Sequence, residues 1–408
     1  MSDPGGQKEG WTVLALNAGS SSLKFGLFRA GSGSVETIVS GSVDAIGEET
    51  GRFTARDGNG ALRCNENREI SDQEHALDCV SSFLDRADLV APQVIGHRIV
   101  HGGPDLLRHC YIDDAVIANL EGAAQFAPLH VPAALSGIRR AKTHFGNLPQ
   151  IACLDTAFHA NLADVARVLP IARDLETRGL RRYGFHGLSC ESILHRLGSG
   201  VPSRTIIAHL GSGASVTAVR NGASADTSMG LTPAGGVVMG TRGGDLDPGV
   251  IVYLLRQKKL DADELEREID SRAGLLAISR LSGDMRVLRN AAETNADSRL
   301  AIGVFCHSVR KEIAAMAAVL GGADLLVFTG GIGENDSQTR LEICAGLGWM
   351  GVVLDEARNR GSENPIGGHG GLQVLALASQ EELQIARICV AVLQGRLFAA
   401  SRRGKISG

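Results

Sequence analysis

A short polar loop between two apolar runs is the most constraining feature of this chain. Residues 17–24 read Asn-Ala-Gly-Ser-Ser-Ser-Leu-Lys, and apolar runs precede and follow them at 13–16 and 25–28. Such runs joined by glycine and serine predict two strands connected by a tight turn. Small residues let backbone N–H groups approach an anion, while the amide, hydroxyl and ammonium groups can bind its oxygens. The loop is therefore predicted to hold a phosphate group.

The pattern recurs in the second half of the chain. Residues 206–219 again place a polar residue and a Gly-Ser turn between apolar runs, so His209 and Gly211 match Asn17 and Gly19. The copies lie about 190 residues apart, and this repeat predicts a duplicated β-rich core with a nucleotide between its halves. Because G-x-x-x-x-G-K-[ST] does not occur in the sequence, a P-loop NTPase is disfavoured.

Hydrophobic periodicity predicts further elements. A third glycine loop, residues 329–335, follows a buried strand predicted at 325–328, a common ligand position in α/β proteins. A second buried strand starts at Val94 and runs to the glycines at 102–103. The remaining predictions are helices over 73–86, 133–145 and 381–398 and a strand over 150–154.

The composition narrows the class of protein. The 408 residues suffice for two domains. Aromatic residues make up only 4% and the net charge is −4, which disfavours nucleic-acid and membrane-surface partners. The eight cysteines contain no C-x-x-C pair, so neither a zinc ribbon nor a disulfide framework is indicated. With a polar, glycine-rich start and no long apolar run, we expect a cytoplasmic enzyme.

Several separate motifs resemble those of one enzyme family, the acetate kinases of the acetokinase group. This group lies within the acetate and sugar kinase, Hsp70 and actin superfamily. The resemblance covers nearly the whole chain and also includes Glu381-Glu382-Leu383. The motifs are NAGSSSLK (17–24), HRIVHGG (97–103), APLH (127–130), DTAFH (155–159), RRYGFHG (181–187), HLGSGAS (209–215), DTSMGLTP with MGTRGGDLDP (226–248) and FTGGIGEN (328–335).

The resemblance implies an α/β fold of two duplicated RNase H-like domains, of the actin-like ATPase type, with an active-site cleft between them. The N-terminal domain would span 11–155 and be completed by a C-terminal helix at about 383–400. The C-terminal, nucleotide-binding domain would span 156–382. A homodimer is also expected from the resemblance.

The implied reaction is reversible phosphoryl transfer from ATP to acetate, giving acetyl phosphate and ADP. The substrate carboxylate is the nucleophile, and it is ionised at pH 7 because carboxyl pKa values lie near ~4. No general base is needed. The enzyme must instead supply positive charge, hydrogen-bond donors, a metal ion and in-line positioning for two anions that repel each other.

The charged residues of the motifs fit these needs. Arg98 and Val100 would share one face of the predicted strand, and an arginine beside an apolar wall suits a small carboxylate. By resemblance, Arg98 and Arg242 flank the γ-phosphate and His186 donates to it, while His130 is a weaker candidate. Asp155 and Glu381 would hold Mg²⁺, for which Mn²⁺ can substitute, with Asn17 ordering the metal's water or the phosphates.

The resemblance also assigns the binding residues of both substrates. The acyl pocket would leave little volume beyond a methyl group, so acetate is favoured over propionate. Its residues would be Arg98, Val100, Leu129, Phe185 and Pro233. The ATP site would comprise Lys24, His209, Gly211, Ser212, Gly213, Asp284, Met285, Arg286, Gly330, Gly331, Ile332, Gly333 and Asn335.

The sequence departs from the family pattern around these charges, which puts the acyl preference and turnover in doubt. The departures are Val131 for Asn, Leu188 and Cys190 for Thr and His, Ser212 for Asn, Gly235 in a run that lacks its usual Glu, Gly243 for Ser and Gln380 for Asn.

Two alternatives remain open at this point. One is a propionate or butyrate kinase on the same fold. The other is an actin- or Hsp70-like nucleotide switch, whose output is a conformational change. A switch needs no carboxylate pocket, so Arg98 beside Val100 opposes it.

Overall fold

The computed structural model describes residues 10–19, 21–31, 33–87, 89–128, 130–172, 179–368 and 371–395. The chain divides into two compact units. The first runs to Ala157 and resumes at Gln380, and the second comprises Phe158–Ser379. The domain boundaries given by the sequence stay a prediction.

The first unit is built around one mixed sheet. Its elements are β1 (Trp11–Ala18), β2 (Ser22–Ala30), β3 (Val35–Asp44), β4 (Gly51–Asp57), β5 (Leu62–Arg68), α1 (Gln73–Arg86), β6 (Val94–Ile99), β7 (Cys110–Tyr111), α2 (Asp114–Ala123), α3 (Val131–Phe145) and β8 (Gln150–Leu154).

The second unit holds a smaller sheet and most of the helices. Its elements are α4 (Asp164–Arg167), α5 (Gly187–Leu197), β9 (Arg204–Leu210), β10 (Ala214–Arg220), β11 (Ala223–Thr227), α6 (Pro248–Gln257), α7 (Ala262–Asp270), α8 (Gly274–Ser279), α9 (Met285–Ala291), α10 (Ala296–Leu320), β12 (Leu325–Thr329), α11 (Gly330–Asn335), α12 (Ser337–Cys344), α13 (Glu356–Gly361) and β13 (Gln373–Ala376). The last helix, α14 (Glu381–Leu393), lies in the first unit.

The two sheets share one strand order. In the first, β3-β2-β1-β6-β8 are successive neighbours, and in the second β11-β10-β9-β12-β13 are. The first three strands of each set pair with one another in the antiparallel sense. The last two run parallel to the central strand, β1 or β9. The duplicated β-rich core predicted from the repeated loop is therefore confirmed.

Helix α14 packs directly on the central strands of the first sheet because of one glycine. A Cβ on Gly96 would lie 2.4 Å from Ile385 and 2.6 Å from Cys389, so only glycine permits this approach. The helix buries Ile385, Ala386, Cys389 and Val390, the repeat expected of an amphipathic helix. This packing places the acidic start of α14 beside the ends of β1 and β6.

Two predicted elements differ in length from those observed. The strand from Val94 ends at Ile99 because the chain turns there: the backbone N–H of Gly103 donates to His101 Nδ1 at 2.9 Å. Val100 therefore lies just beyond the strand rather than on its face. The last helix was predicted to reach residue 398, but it ends at Leu393, and Gln394 and Gly395 turn.

No helix among the described residues is long and apolar enough to cross a membrane.

Buried His97 makes stability depend on pH. Its Nε2 lies 2.6 Å from Gln150 Oε1, and burial lowers the pKa of His97 to about 4. In the unfolded chain His97 binds a proton below about pH 6.5, whereas in the folded chain it does so only below about pH 4. The free energy of unfolding therefore rises with pH between about pH 4 and 6.5. We expect His97 alone to cost on the order of 2 kcal/mol at pH 5 relative to pH 7.

The free energies of unfolding of the wild type and of His97→Gln, measured in urea at pH 7 and pH 5, test this expectation. The variant should lose less stability between the two pH values than the wild type. Equal losses would contradict the assignment of a neutral, buried His97.

Candidate active site

Three polar side chains meet at one edge of the first sheet. Because β1, β6 and β8 are parallel, their carboxyl ends lie at the same edge. Asn17 lies near the end of β1, Arg98 near the end of β6, and Asp155 directly follows β8. The side chains predicted from separate motifs are thus brought together by strand direction alone.

Arg98 is the centre of this group. Its Nε and Nη2 donate to Asp155 Oδ2 at 2.8 and 2.6 Å, and its Nη1 donates to Asn17 Oδ1 at 3.0 Å. The Asp155 side chain is 1% exposed and that of Arg98 17%. These charge-assisted bonds fix the guanidinium in one orientation.

The start of α14 completes the group. Asn17 Nδ2 donates to Glu381 Oε2 at 2.9 Å and to Glu382 Oε1 at 2.8 Å. Acidic residues are favoured at a helix N-terminus, so these carboxylates also stabilise α14. We call Asn17, Arg98, Asp155, Glu381 and Glu382 the first-unit cluster.

The cluster keeps Arg98 charged. Burial by itself would lower the pKa of the guanidinium, but the Asp155 and Glu381 carboxylates outweigh it and raise that pKa. The edge therefore presents a permanent cation beside several carboxylate oxygens. Such a set can bind a substrate anion and a hard divalent cation together.

The first glycine loop lies beside this cluster. Gly19 N–H donates to the Ser22 carbonyl at 2.8 Å, which closes the predicted turn. Gln73, at the start of α1, donates to the Gly19 carbonyl at 2.9 Å. Lys24 is exposed and pairs with Asn17 across the hairpin. Ser20 lies outside the described residues.

In the second unit, two histidines stack beside the repeated loop. The His186 and His209 rings lie 4.1 Å apart between centroids at an interplanar angle of 21°. His186 Nδ1 lies 2.9 Å from Ser215 Oγ, and His209 Nδ1 lies 2.8 Å from Ser189 Oγ. The hydroxyls thus fix the Nδ1 side of each ring.

His186 also has an uncommon backbone conformation. Its φ of 57° and ψ of 27° place it in the left-handed region, directly before α5. A non-glycine residue held there carries strain, which is frequent at functional positions.

Arg242 approaches the same loop. A Cβ on Gly213 would lie 3.3 Å from His186 Nε2 and 3.5 Å from Arg242 Nη1. Arg242 Nη1 also donates to the Pro233 carbonyl at 3.2 Å. The second unit therefore gathers an arginine and two histidines around a loop whose glycines leave no side chain in the way.

The segments predicted to bind adenosine also converge in the second unit. Gly240 N–H donates to the Ser212 carbonyl at 3.0 Å, and a Cβ on Gly240 would meet the Gly283 carbonyl at 3.0 Å. On the other side, a Cβ on Gly211 would lie 3.9 Å from Gly331 N. The loops at 211–213, 283–286 and 330–335 are thus neighbours.

Asp284 and Arg286 form an ion pair at the start of α9. Arg286 Nη2 lies 2.6 Å from Asp284 Oδ2, and the Arg286 side chain is 89% exposed. Hydrogen bonds from Arg286 lower the pKa of Asp284. Met285, between them, is buried, so any contact of this residue with a nucleotide would involve its backbone.

Glycines shape the loop at 330–335. Gly330 has φ of +77°, and a Cβ there would lie 2.7 Å from the Leu210 carbonyl oxygen. Its N–H donates to Glu334 Oε1 at 3.0 Å, and Asn335 Nδ2 donates to the Gly331 carbonyl at 2.9 Å. Ile332 and Gly333 lie within the same short helix, α11.

The predicted acyl-pocket residues are distributed over both units. Val100 is buried in the first unit, two residues after Arg98. Phe185 is buried in the second unit, and its carbonyl lies 3.0 Å from His159 Nε2. Pro233 is half-buried there. Leu129 lies outside the described residues.

Sequence reasoning missed several residues of these sites. Glu382 was seen only as part of a motif, although the acidic pair at a helix start was a usable signal. Ser215, which orients His186, was likewise seen only as part of a motif, and Ser189, which orients His209, carried no such signal. Neither did Gln73, since its contact with the loop joins residues 54 positions apart.

Some departures from the family pattern have a structural account. Leu188 and Cys190 are buried on α5. A Cβ on Gly243 would lie 3.3 Å from Leu246, and one on Gly235 would lie 3.2 Å from Asp245 Oδ1. Val131 is buried at the start of α3, and Gln380 precedes α14.

The acetokinase family model matches residues 12–387 of this chain. The chain belongs to the acetokinase family. Among its members, the acetate kinase of Clavibacter michiganensis subsp. michiganensis is 40% identical, with 94% of this chain and 99% of that protein aligned. The acetate kinase of Chloroherpeton thalassium is 38% identical, covering 92% and 97% of the two chains.

Solved structures agree with this assignment to the acetokinase family. The acetate kinase of Porphyromonas gingivalis has a TM-score of 0.82 at 33% identity, covering 94% of this chain and 100% of that one. A propionate kinase from Francisella tularensis has a TM-score of 0.85 at 33% identity, covering 93% and 98%. The family, fold and acetate kinase function predicted from the sequence are confirmed, and the roles of individual residues stay predictions.

Proposed function

We propose that the chain transfers the γ-phosphoryl group of ATP to acetate by direct attack of the carboxylate, and that it catalyses the reverse reaction. The observation that carries this proposal is Arg98, which Asp155 and Asn17 hold at the edge of the first sheet two residues before buried Val100. A substrate carboxylate would pair with the guanidinium while its methyl group contacts Val100.

No proton has to move in this reaction. A carboxylate oxygen forms a bond to the γ-phosphorus, the bond between that phosphorus and the β,γ-bridging oxygen breaks, and ADP leaves with the electron pair. The acetate carboxyl pKa lies near ~4, so the nucleophile is already ionised. Catalysis then depends on charge and position, which Arg98, Arg242 and His186 would supply to the reacting oxygens.

The oxygen ligands of the first-unit cluster suit Mg²⁺. Among the described residues, no group of three or more His, Cys, Asp and Glu side chains could hold a metal ion. Mg²⁺ needs only one or two carboxylates, because phosphate oxygens and water complete its shell. We propose that Asp155 and Glu381 hold it and that Asn17 orders its water. When bound, Mg²⁺ would neutralise phosphate charge.

The second unit would bind the nucleotide. We propose that the loop at 211–213 and the segments at 283–286 and 330–335 contact ATP, since they are neighbours and glycine keeps their backbones accessible. Exposed Arg286 can stack on the purine, and Asn335 lies at the end of the same surface. Homodimer formation and the cellular compartment stay predictions.

Replacing Val100 with alanine should broaden the acyl preference. Removing two methyl groups leaves room for a longer chain, and one methylene is worth about 1–3 kcal/mol in such a pocket. We expect the ratio of kcat/KM for propionate to that for acetate to rise about 10-fold or more. Val90→Ala, at an exposed position, is the matched control. An unchanged ratio would exclude Val100 from the acyl pocket.

The proposed function is tested by incubating the chain with ATP, Mg²⁺ and acetate, propionate or butyrate and trapping acyl phosphate as hydroxamate. We expect acetyl hydroxamate to form fastest. Faster trapping of a longer acid would make the chain a propionate or butyrate kinase. ATP hydrolysis without hydroxamate from any acid would overturn the proposal.

A further inference from the structure

We propose that Arg289 is a positioning residue for ATP, because it joins the two segments that would hold adenosine. This inference rests on the proposed function. Arg289 lies on α9, which begins directly after Asp284. It donates hydrogen bonds to Thr339 and Glu342 on α12 and to Asp336, the residue between that helix and the loop at 330–335. No motif of the sequence includes it.

The contacts of Arg289 are specific. Its Nη1 donates to Glu342 Oε1 at 2.6 Å, its Nη2 to Thr339 Oγ1 at 2.6 Å, and its Nε to Asp336 Oδ2 at 3.3 Å. Its side chain is 15% exposed. All three nitrogens of the guanidinium thus donate to α12 or to the residue that precedes it, a geometry that the single ammonium of lysine cannot reproduce.

Asp336 transmits this contact to the nucleotide loop. Its backbone N–H donates to the Ile332 carbonyl at 2.9 Å, which ends α11, while its Oδ1 accepts from Thr339 N–H and begins α12. The carboxylate that receives Arg289 therefore belongs to the residue that fixes the end of the loop. Arg289 itself lies on α9, and Asp284 and Arg286 stand at the start of that helix.

The electrostatics favour a permanent link. Burial would lower the pKa of Arg289, but the Glu342 and Asp336 carboxylates outweigh it and raise that pKa. A charged, largely buried arginine with three acceptors holds α9 and α12 in one register. Loss of the link would let the two adenosine segments move apart without touching any group at the reacting phosphate.

The same helix offers a matched control. Arg310, on α10, donates from Nη2 and Nε to the carbonyls of Glu342 and Ile343, at 2.5 and 3.0 Å. It also clamps α12, but at the end away from the nucleotide loop. Arg310→Met should lower stability as Arg289→Met does, and only Arg289 should affect ATP.

The test compares the wild type with Arg289→Met, Arg289→Lys and Arg310→Met by steady-state kinetics, ADP titration calorimetry and thermal unfolding. For Arg289→Met, we expect KM for ATP and Kd for ADP to rise about tenfold, with kcat and KM for acetate changed less than about twofold. Arg289→Lys should recover only part of the loss. Arg310→Met should have the same KM for ATP and the same Kd for ADP as the wild type.

The outcomes separate the inference from the proposed function. An active wild type whose nucleotide constants do not change in Arg289→Met, or change equally in Arg310→Met, overturns the positioning role alone. A wild type that binds ADP but forms no acyl phosphate overturns the proposed function, and the ADP titration still tests Arg289.

Discussion

Replacing Arg98 with glutamine should lower kcat about 1,000-fold or more, the largest effect that we expect from one substitution. The guanidinium would pair with the attacking carboxylate and stabilise the charge of the transferring phosphoryl group. Glutamine keeps hydrogen-bond donors but loses the charge. Initial rates of acetyl hydroxamate formation at saturating ATP and acetate measure the change.

Arg98 also has a structural partner, and its loss must be separated from catalysis. Removing one member of a buried ion pair costs about 3–5 kcal/mol, because Asp155 would keep a buried charge. Arg98→Lys retains that charge, so it should be more stable than Arg98→Gln yet still slow, since lysine lacks the planar fork. Thermal unfolding of each variant shows how much of the lost activity is due to unfolded protein rather than to slower catalysis.

Arg140→Gln is the matched control in the first unit. Arg140 donates from Nε and Nη2 to the two oxygens of Asp78 at 2.7 and 2.6 Å, a comparable pair at a half-exposed position. It should keep kcat within about twofold. If folded Arg98→Gln were as active as Arg140→Gln, Arg98 would have no catalytic role.

Replacing Arg242 with glutamine should lower kcat about 100- to 1,000-fold, the usual cost of losing one transition-state donor. Because Arg242 also donates to the Pro233 carbonyl at 3.2 Å, thermal unfolding of the variant separates a loss of stability from the loss of catalysis. The effect should appear in kcat rather than in KM for acetate, because Arg242 would act on the phosphoryl group. Steady-state kinetics in both reaction directions measure the separate changes in kcat and in KM.

The control for this substitution is Arg272→Gln. Arg272 pairs with Glu268 on the surface at 2.6 Å, so its loss should change neither kcat nor stability appreciably. An Arg242→Gln enzyme with wild-type kcat and raised KM for acetate would instead place Arg242 at the carboxylate.

Much of the site followed from local sequence. The repeated loops at 17–24 and 209–215 predicted two hairpins because apolar runs and Gly-Ser turns act over neighbouring residues. Asp155 could be placed at a ligand-facing edge because it follows a mostly apolar strand, Gln150–Leu154, which is fully buried. These predictions needed no long-range contact.

Other features depend on tertiary packing, which no local sequence pattern predicts. The bond from Asn17 to Glu382 joins residues 365 positions apart, and it exists because Gly96 lets α14 pack on β6. The left-handed backbone of His186 and the link from Arg289 to Asp336 are likewise products of tertiary structure. The strand at Val94 ended early because His101 forms a local turn that competes with strand continuation.

The most direct test of the account follows the oxygen atoms of acetate. The chain is incubated with ATP, Mg²⁺ and acetate labelled with ¹⁸O in both carboxyl oxygens, and hydroxylamine then cleaves the acyl phosphate at its carbonyl carbon. Direct attack by the carboxylate predicts one ¹⁸O atom in each released phosphate, detected by mass spectrometry. Phosphate without ¹⁸O would contradict the account, because the carboxylate would not be the nucleophile.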